Sequence, residues 1–510
     1  MLSFLQWILI YTLLESIILI MLIEISKQWV YKSNNSQKTS KRIYLMFLVG
    51  LLIYIVPQGL VLFPSKYSYS NPDTYSYVLS VEKSIPWDKM PTDPYYRGFP
   101  IYIIWGKSLS LVSALDAHSA FAVVHIISSL LIPILILTIL RTVNPRVYTK
   151  QLFLLLYPLI PVTSIYLYNY MMIMIPQSIG VTFLLFLLAL TFKHIKKIEE
   201  IIIYSIFILI SLVHFGVIPV YILILLTASA SLKILQVYSK QKFSTMLLIL
   251  PLLVHIIYTV YVYNPAYVRG YIEYYIQLLI RLLTQPGEAL GSITVTGTTG
   301  FTRSYPHINA FGPAIFLSLT LVGMYLTVRK LLQFNATLHS TVIVGALFLA
   351  LGVSRWYFAT WIPSGSIARY VNVYGFTLIT IFNAYVLVQL VDRDFKYIKV
   401  VLVVLFTLGV VGAYLDPFTL TQGFSSNILI NITKLLSENT TIKFVSSKNL
   451  YYIGPALSMI IQLYDKNTNI DLSYLSQTIE VTSKVFCSET IEILYRWEKR
   501  DIILLGRAEP

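Results

Sequence analysis

The sequence is dominated by apolar runs of about twenty residues, which recur from the N-terminus to about residue 415. A helix that crosses a membrane needs about 20 such residues, because it rises 1.5 Å per residue through about 30 Å of hydrocarbon. Only 12% of the 510 residues are charged, whereas an ordinary soluble protein is about a quarter charged. The chain is therefore predicted to be an all-α polytopic membrane protein, surrounded mostly by lipid.

About twelve transmembrane helices are predicted from length and apolarity. The first lacks a basic flank and a small-residue cleavage site, so it is predicted to be a retained helix. The stretch 99–115 is nearly long enough to cross, but Lys107 and several serines interrupt it, which indicates an amphipathic helix in the membrane interface. The predicted spans lie near residues 3–25, 43–63, 118–140, 151–168, 171–192, 200–213, 216–236, 245–263, 309–328, 341–357, 370–391 and 400–415.

The basic residues predict the orientation of these helices. The net charge is +15, and half of the 38 Lys and Arg residues lie in six short loops that the helix count puts on one side. Cytoplasmic loops carry such an excess, so this side is predicted to be the cytoplasm and the protein to lie in the plasma membrane. The distribution also argues against a nucleic-acid partner. The loop 64–117 carries as many acidic as basic residues and is predicted to be extracytoplasmic.

The chain divides into three predicted parts. Residues 1–42 form an extra N-terminal transmembrane helix and a basic cytoplasmic loop, and residues 43–415 form the main transmembrane module with outer loops 64–117 and 265–308. Residues 416–510 alternate strand-like and helix-like runs, which predicts a small extracytoplasmic α/β domain. The single Cys487 excludes an intramolecular disulfide and a metal site built from cysteines.

The stretch NPDTYSY, residues 71–77, raises the first question about chemistry. Asp73 follows Pro72, as in an Asx turn, but it also follows an outward-running helix. After it come a tyrosine-rich stretch ending in FP, the interfacial helix, and a long span that closes on Arg141.

This order of features resembles the GT-C superfamily of membrane glycosyltransferases. LFLLLYPLIPVTSIYLYNYMMIMIPQSIGVTFLLFLLALTF is similar to the paired helices of that superfamily, and SGSIARYVNVYGFTLITIF resembles its late helix that begins with an outward-facing Arg. The resemblance covers about residues 43–415. It implies inverting transfer of a sugar from a polyprenyl (dolichyl) phosphate carrier to a glycan, lipid or protein acceptor on the outer face.

The resemblance also implies roles for particular residues. Asp73 matches the essential acidic residue of the first outer loop and is expected to be the general base, with Mg²⁺ or Mn²⁺ as a candidate cofactor at Asp73. Asp93 is the second acidic candidate, although its flanking prolines also fit a turn. Arg369 is expected to hold the carrier phosphate through its planar fork, with snorkelling at a helix end as the alternative.

The remaining candidates are supporting ones. Glu288 lies in the glycine-containing loop 265–308, which is predicted to be a flap over the substrate. His214 lies at a turn between two spans, where a packed histidine is the alternative to a ligand. The tail lacks the WWDYG signature of oligosaccharyltransferases, which disfavours transfer of a complete oligosaccharide. The further phosphate- or donor-binding candidates are Arg97, Arg303, Arg355, Lys107 and His214.

Two other functions fit a basic polytopic protein. A transporter or flippase would bury charges near the membrane midplane, whereas most of these spans are uncharged and only Glu15 and Glu24 interrupt the first. A glycan polymerase or ligase of another family, centred on Arg and His, would tolerate Asp73→Asn.

Overall fold

The computed structural model has fourteen α-helices, a 3₁₀ turn and five strands among the elements bounded within the residues it describes. The described residues are 4–28, 41–62, 77–78, 81, 100–144, 147, 150–164, 171, 174–193, 198–214, 216–234, 246–262, 306–329, 338, 340–347, 365–393, 395–414, 440–446, 468–471, 478–483, 489–496 and 501–508.

Helices account for every predicted span within these residues. Helices α5 and α6 flank a 3₁₀ turn at Tyr157–Leu159, and residues 340–347 are also helical. The helices are α1 Phe4–Gln28, α2 Lys41–Leu62, α3 Pro100–Ser113, α4 Ala117–Val143, α5 Gln151–Leu156, α6 Ile160–Thr163, α7 Pro176–Lys193, α8 Ile198–Ser211, α9 Val217–Ile234, α10 Met246–Val262, α11 Pro306–Asn309, α12 Phe311–Val328, α13 Gly365–Val391 and α14 Lys396–Tyr414.

Six of the described helices are long and apolar enough to cross a membrane. They bear large exposed apolar side chains on their outer faces, such as Leu13 of α1 and Leu60 of α2. The prediction of an α-helical, multi-pass membrane protein is therefore confirmed by the length and apolarity of these six helices. The other predicted spans coincide with helices that are shorter within the described residues. The six candidates are α1, α2, α4, the segment from α11 through α12, α13 and α14.

Side-chain contacts fix the relative directions of the central helices. His125 of α4 contacts Ser178 of α7, and Ser128 contacts Thr182, so these two helices run parallel. Helix α2 runs antiparallel to α4, since Gln58 bonds Ser129 while the end of α2 reaches the start of α4.

The ends of α4 and α13 lie at the same end of the bundle. Lys150, seven residues beyond the end of α4, forms an ion pair of 2.7 Å with Asp392 directly after α13. Each helix has 27 residues and is about 40 Å long, so both also begin at the opposite end. We name this opposite end, where α2 ends and α4, α7 and α13 begin, the site end.

The position of α3 follows from the contact between α2 and α4. His118 Nε2 of α4 lies 2.9 Å from the carbonyl oxygen of Leu62, the last residue of α2. The chain therefore leaves α2 and enters α4 at one end of the bundle, and α3, between them, makes no net crossing. Because α3 also runs alongside α4, with Tyr102 beside His125 and Gly106 beside Phe121, the interfacial position that the sequence predicts for 99–115 stays a prediction.

A proline explains how α2 is joined to α14. Pro57 has no N–H group, so the carbonyl oxygen of Ile53, one turn earlier, has no partner within its own helix. The hydroxyl group of Tyr414 donates a hydrogen bond to that carbonyl oxygen. The proline is thus tolerated because a neighbouring helix satisfies the freed backbone group.

Small residues allow α12 and α14 to pack closely. A Cβ atom added to Gly312 would lie 3.2 Å from the backbone oxygen of Gly409, so larger residues would push these helices apart. Helix α1 packs along α12 in the same direction, with Tyr11 stacked on Phe311 at 4.2 Å between ring centroids.

The C-terminal region contains a five-stranded sheet. The strands are β1 Thr440–Ser446, β2 Thr468–Asp471, β3 Thr478–Ser483, β4 Glu489–Arg496 and β5 Asp501–Ala508, in the order β2-β3-β1-β4-β5. Strand β1 is parallel to β4, with Ile442 opposite Ile491, and the other pairs are antiparallel. The helices that the sequence predicts beside these strands lie outside the described residues, so the α/β domain stays a prediction.

Candidate functional site

Two groups of buried polar side chains flank the first turn of α7 at the site end. One contains Tyr102 of α3, His125 of α4 and Ser178 of α7. The other contains His214, in the turn after α8, and Tyr374 of α13. All five side chains are buried. A buried polar side chain without a hydrogen bond destabilises the fold, so the side chains of each cluster are expected to bond with protein atoms around them.

The start of α4 is fixed by a helix cap. Asp116 has extended backbone, and its carboxylate accepts a hydrogen bond of 2.8 Å from the backbone N–H of Ser119. Ala114, two residues earlier, has a φ of +55°, which turns the chain back from α3. The two helices then run side by side, which brings Tyr102 to His125.

The hydrogen bonds of the first group define the state of its imidazole. The Ser178 hydroxyl group donates to the carbonyl oxygen of Ile175 at 2.7 Å, so it accepts from His125 Nδ1–H at 2.9 Å. The other ring nitrogen, Nε2, then accepts from the Tyr102 hydroxyl group at 2.8 Å. His125 is therefore neutral and is held on both sides.

His214 has the opposite tautomer. Its Nδ1 atom accepts hydrogen bonds from the Tyr374 hydroxyl group at 2.7 Å and from the backbone N–H of Gly216 at 3.3 Å. Two donors that converge on Nδ1 require the proton to lie on Nε2. Burial lowers the pKa of His214 to about 3, so the ring is neutral at physiological pH.

The first turn of α7 joins the two groups. Ser178 belongs to the first group, and a Cβ atom added to Gly180 would lie 2.8 Å from the Tyr374 hydroxyl group. In the same turn, the buried side-chain amide nitrogen of Gln177 has no hydrogen-bond partner within the part of the chain that the structure describes. A helix N-terminus with a spare donor favours a negatively charged group.

The predicted residues relate to this site in different ways. Lys107 lies on α3, one residue after Gly106, where that helix packs on Phe121 of α4. Arg369 lies in the second turn of α13, five residues before Tyr374 and so about 7.5 Å away along the axis. His214 is bonded within the protein, which agrees with its packed alternative. Asp73, Asp93, Arg97, Glu288, Arg303 and Arg355 lie outside the described residues.

Three described residues of the first predicted outer loop, which begin four residues after Asp73, lie at this site. Tyr77, Val78 and Val81 are described and buried. The ring of Tyr77 meets the ring of Tyr102 edge to face, with 5.0 Å between centroids. The first outer loop and the Tyr102–His125–Ser178 group are therefore in direct contact.

The sequence analysis did not identify Tyr102, His125, Gln177, Ser178 or Tyr374. A signal exists for His125, because a histidine inside an apolar run marks a position that needs a partner. The others are ordinary polar residues near helix ends, and only the packing brings them together. Among the described residues, no group of three His, Cys, Asp or Glu side chains is arranged to hold a metal ion.

No protein-family model matches this sequence, and no curated protein matches it either.

Proposed function

We propose that this protein is a GT-C-like membrane glycosyltransferase. It transfers a sugar, with inversion, from a polyprenyl (dolichyl) phosphate carrier to a glycan, lipid or protein acceptor on the outer face of the plasma membrane. The proposal includes the twelve-span topology and the extracytoplasmic C-terminal α/β domain.

One observation carries the proposal. Tyr77, four residues after Asp73, contacts Tyr102 of the group that includes Ser178 in the first turn of α7. The helix that contains Arg369 lies against the same turn of α7 through Tyr374. Four residues separate Asp73 from Tyr77, a reach of at most about 14 Å. This arrangement supports a site in which a base and a phosphate-binding cation act on the same donor.

The chemistry assigns each residue a task. In the proposal, Asp73 takes the proton from the acceptor group as the acceptor attacks the anomeric carbon, and the bond from that carbon to the carrier phosphate breaks. Arg369 and Lys107 stabilise the departing phosphate, together with the first turn of α7. His214 and Tyr374 are positioning residues, because they hold α13 against α7.

The metal prediction stays open in its details. Mg²⁺ or Mn²⁺ at Asp73 would add positive charge beside the phosphate. Its ligands would include residues of the loop 64–117 outside the described ranges, so no step of the proposed reaction depends on it.

A transporter or flippase is the second candidate, and one observation favours it. Glu15 is buried at the middle of α1, as expected for a protein that moves charged substrates through the membrane. The hydrogen-bonded histidines, by contrast, lie at the site end, as expected for an enzyme that acts at one membrane face.

The proposal is tested with purified protein and synthetic polyprenyl-phosphate and polyprenyl-diphosphate sugars. We expect release of polyprenyl phosphate from the monophosphate donor, and a loss of about tenfold or more in kcat/KM with Arg369→Gln. Arg329→Gln is the matched control, since Arg329 follows α12 at the other end of the bundle. Movement of an intact donor across reconstituted vesicles, without release of the carrier, would instead support the transporter.

A further inference from the structure

We propose that α1 and α12 form a binding site for one Na⁺ ion around Glu15. The site consists of the Glu15 carboxylate with the hydroxyl groups of Thr12, Ser16 and Ser318. It lies halfway along the candidate membrane span Gln6–Ser26 and does not depend on the proposed glycosyl transfer.

The four side chains occupy one buried patch. Thr12, Glu15 and Ser16 follow the spacing i, i+3 and i+4, so they share one face of α1. Each is about 95% buried, and Ser318 of α12 is fully buried. The opposite face of α1 carries exposed apolar side chains, among them Leu13 and Ile17. The polar face therefore points into the protein.

The Glu15 carboxylate is not satisfied by its protein neighbours. The Ser318 hydroxyl group lies 2.9 Å from Glu15 Oε2, but it also reaches the carbonyl oxygens of Ala314 at 2.8 Å and Thr12 at 3.1 Å. One proton serves these three acceptors. A carboxylate offers about four acceptor positions, so Glu15 receives at most one hydrogen bond here.

Three oxygen atoms of the patch have no hydrogen-bond partner among the described residues: Glu15 Oε1, Thr12 Oγ1 and Ser16 Oγ. Other helical hydroxyl groups of this chain, such as those of Thr320 and Thr327, bond a carbonyl oxygen of their own helix. Thr12 and Ser16 do not. An unpaired buried polar atom costs about 1–3 kcal/mol, so three in one patch indicate a ligand.

Charge selects a monovalent cation. Within the described part of the chain, no Lys or Arg side chain is paired with Glu15, and the other carboxylate of α1, Glu24, lies nine residues further along the helix. An isolated carboxylate at the centre of a membrane is energetically unfavourable because of its charge of −1, and one bound Na⁺ ion brings the net charge of the site to zero. Carboxylate and hydroxyl oxygens are suitable ligands for such a hard cation.

The test compares NaCl with choline chloride at equal ionic strength, using the purified full-length protein. We expect Na⁺ to raise the melting temperature and to protect Glu15 from dicyclohexylcarbodiimide, read by peptide mass spectrometry. Glu15→Gln should abolish the Na⁺-dependent shift. Thr12→Val removes one proposed oxygen ligand and should raise the Na⁺ concentration needed for half-protection about tenfold. This variant keeps the proposal testable if the Glu15→Gln protein does not fold.

Thr407→Val is the matched control, because Thr407 is exposed on α14 and bonds only its own helix. It should leave the Na⁺ response unchanged. The proposal is overturned if Na⁺ and choline give the same melting temperature. It is equally overturned if Glu15 reacts to the same extent in both salts, which would indicate a permanently protonated carboxyl group.

Discussion

At the scale of single residues, the two buried histidines show how an apolar bundle accommodates a polar ring. A ring nitrogen buried inside a membrane protein needs a hydrogen-bond partner from the protein, because the bilayer core supplies no water to form that bond. His125 has a partner on each ring nitrogen, a serine and a tyrosine, and His214 Nδ1 accepts from a tyrosine and from a backbone N–H group. Each ring is therefore fixed in one tautomer by its neighbours.

Tyr102→Phe tests the His125 group. The substitution keeps the ring that packs on Tyr77 and Phe121 but removes the donor to His125 Nε2. We expect a loss of about 1–3 kcal/mol of stability, measured by thermal unfolding in detergent. Tyr44→Phe is the control, since Tyr44 is 72% exposed, and it should have little effect. Equal effects of the two substitutions would contradict the assigned bond.

The pKa of His214 predicts a dependence of stability on pH. The unfolded side chain takes up a proton near pH 6.5, whereas the buried ring does so only near pH 3. The contribution of His214 is therefore fully present above pH 6.5 and is lost as the pH falls, by about 2 kcal/mol at pH 5. Thermal unfolding at pH 7 and pH 5 measures this loss. His214→Gln should unfold with a smaller difference between the two pH values, and an unchanged difference would contradict the assignment.

At the scale of helices, Gly180 is the point where α7 meets the His214–Tyr374 pair. A Cβ atom there would lie 2.8 Å from the Tyr374 hydroxyl group and 3.0 Å from the Cβ atom of His214. We expect Gly180→Ala to lower the stability by about 1–3 kcal/mol and to weaken donor binding, because it separates α7 from α13.

Gly59→Ala is the matched control for this prediction. A Cβ atom on Gly59 of α2 would meet only the side chain of Ile126 at 3.7 Å, an ordinary contact. Alanine also favours the helix by up to about 1 kcal/mol relative to glycine. Thermal unfolding should therefore separate the two variants, and a stable Gly180→Ala protein would show that α7 and α13 are not tightly packed there.

The positions of the helices could be predicted from the sequence, but their contacts could not. Apolar runs predict helices, so each predicted span overlaps helical residues in the described part of the chain, and six of these helices are long and apolar enough to cross a membrane. The bond from Tyr414 to Ile53 was not, because Pro57 frees a carbonyl oxygen without indicating which helix will reach it.

The candidate site was predictable only in part. Arg369 and His214 stand out in the sequence as ionisable residues at helix ends, and the structure pairs His214 with Tyr374 of α13, the helix that also contains Arg369. Tyr102, Ser178 and Gln177 belong to common residue types at common positions. Their importance follows from α3 folding back on α4 and from α4 running parallel to α7, which are properties of packing rather than of local sequence.

At the scale of the whole molecule, the two ends of the bundle differ in chemistry. The site end gathers neutral hydrogen-bonded side chains and the start of α13. The other end carries the Lys150–Asp392 ion pair, and the sequence predicts the loops rich in Lys and Arg at that end. This asymmetry is expected for a protein that acts at one membrane face and is oriented by positive charge at the other.

Sided labelling tests this asymmetry. In a Cys487→Ser background, single cysteines are introduced by Ser68→Cys, Ser366→Cys and Ser36→Cys. We expect a membrane-impermeant maleimide to label positions 68 and 366 in intact cells, and position 36 only after permeabilisation. Opposite sidedness of positions 68 and 366 would contradict a shared site end.

The central claim is that Asp73 performs glycosyl transfer at the site end. The most direct measurement is the rate of polyprenyl phosphate release from a polyprenyl-phosphate sugar by purified wild-type protein, Asp73→Asn and Asp88→Asn, a control in the same loop. We predict that Asp73→Asn lowers kcat by about 100-fold or more at unchanged melting temperature, while Asp88→Asn retains activity. Full activity of the Asp73→Asn protein would contradict the claim and would favour a polymerase or ligase centred on arginine and histidine.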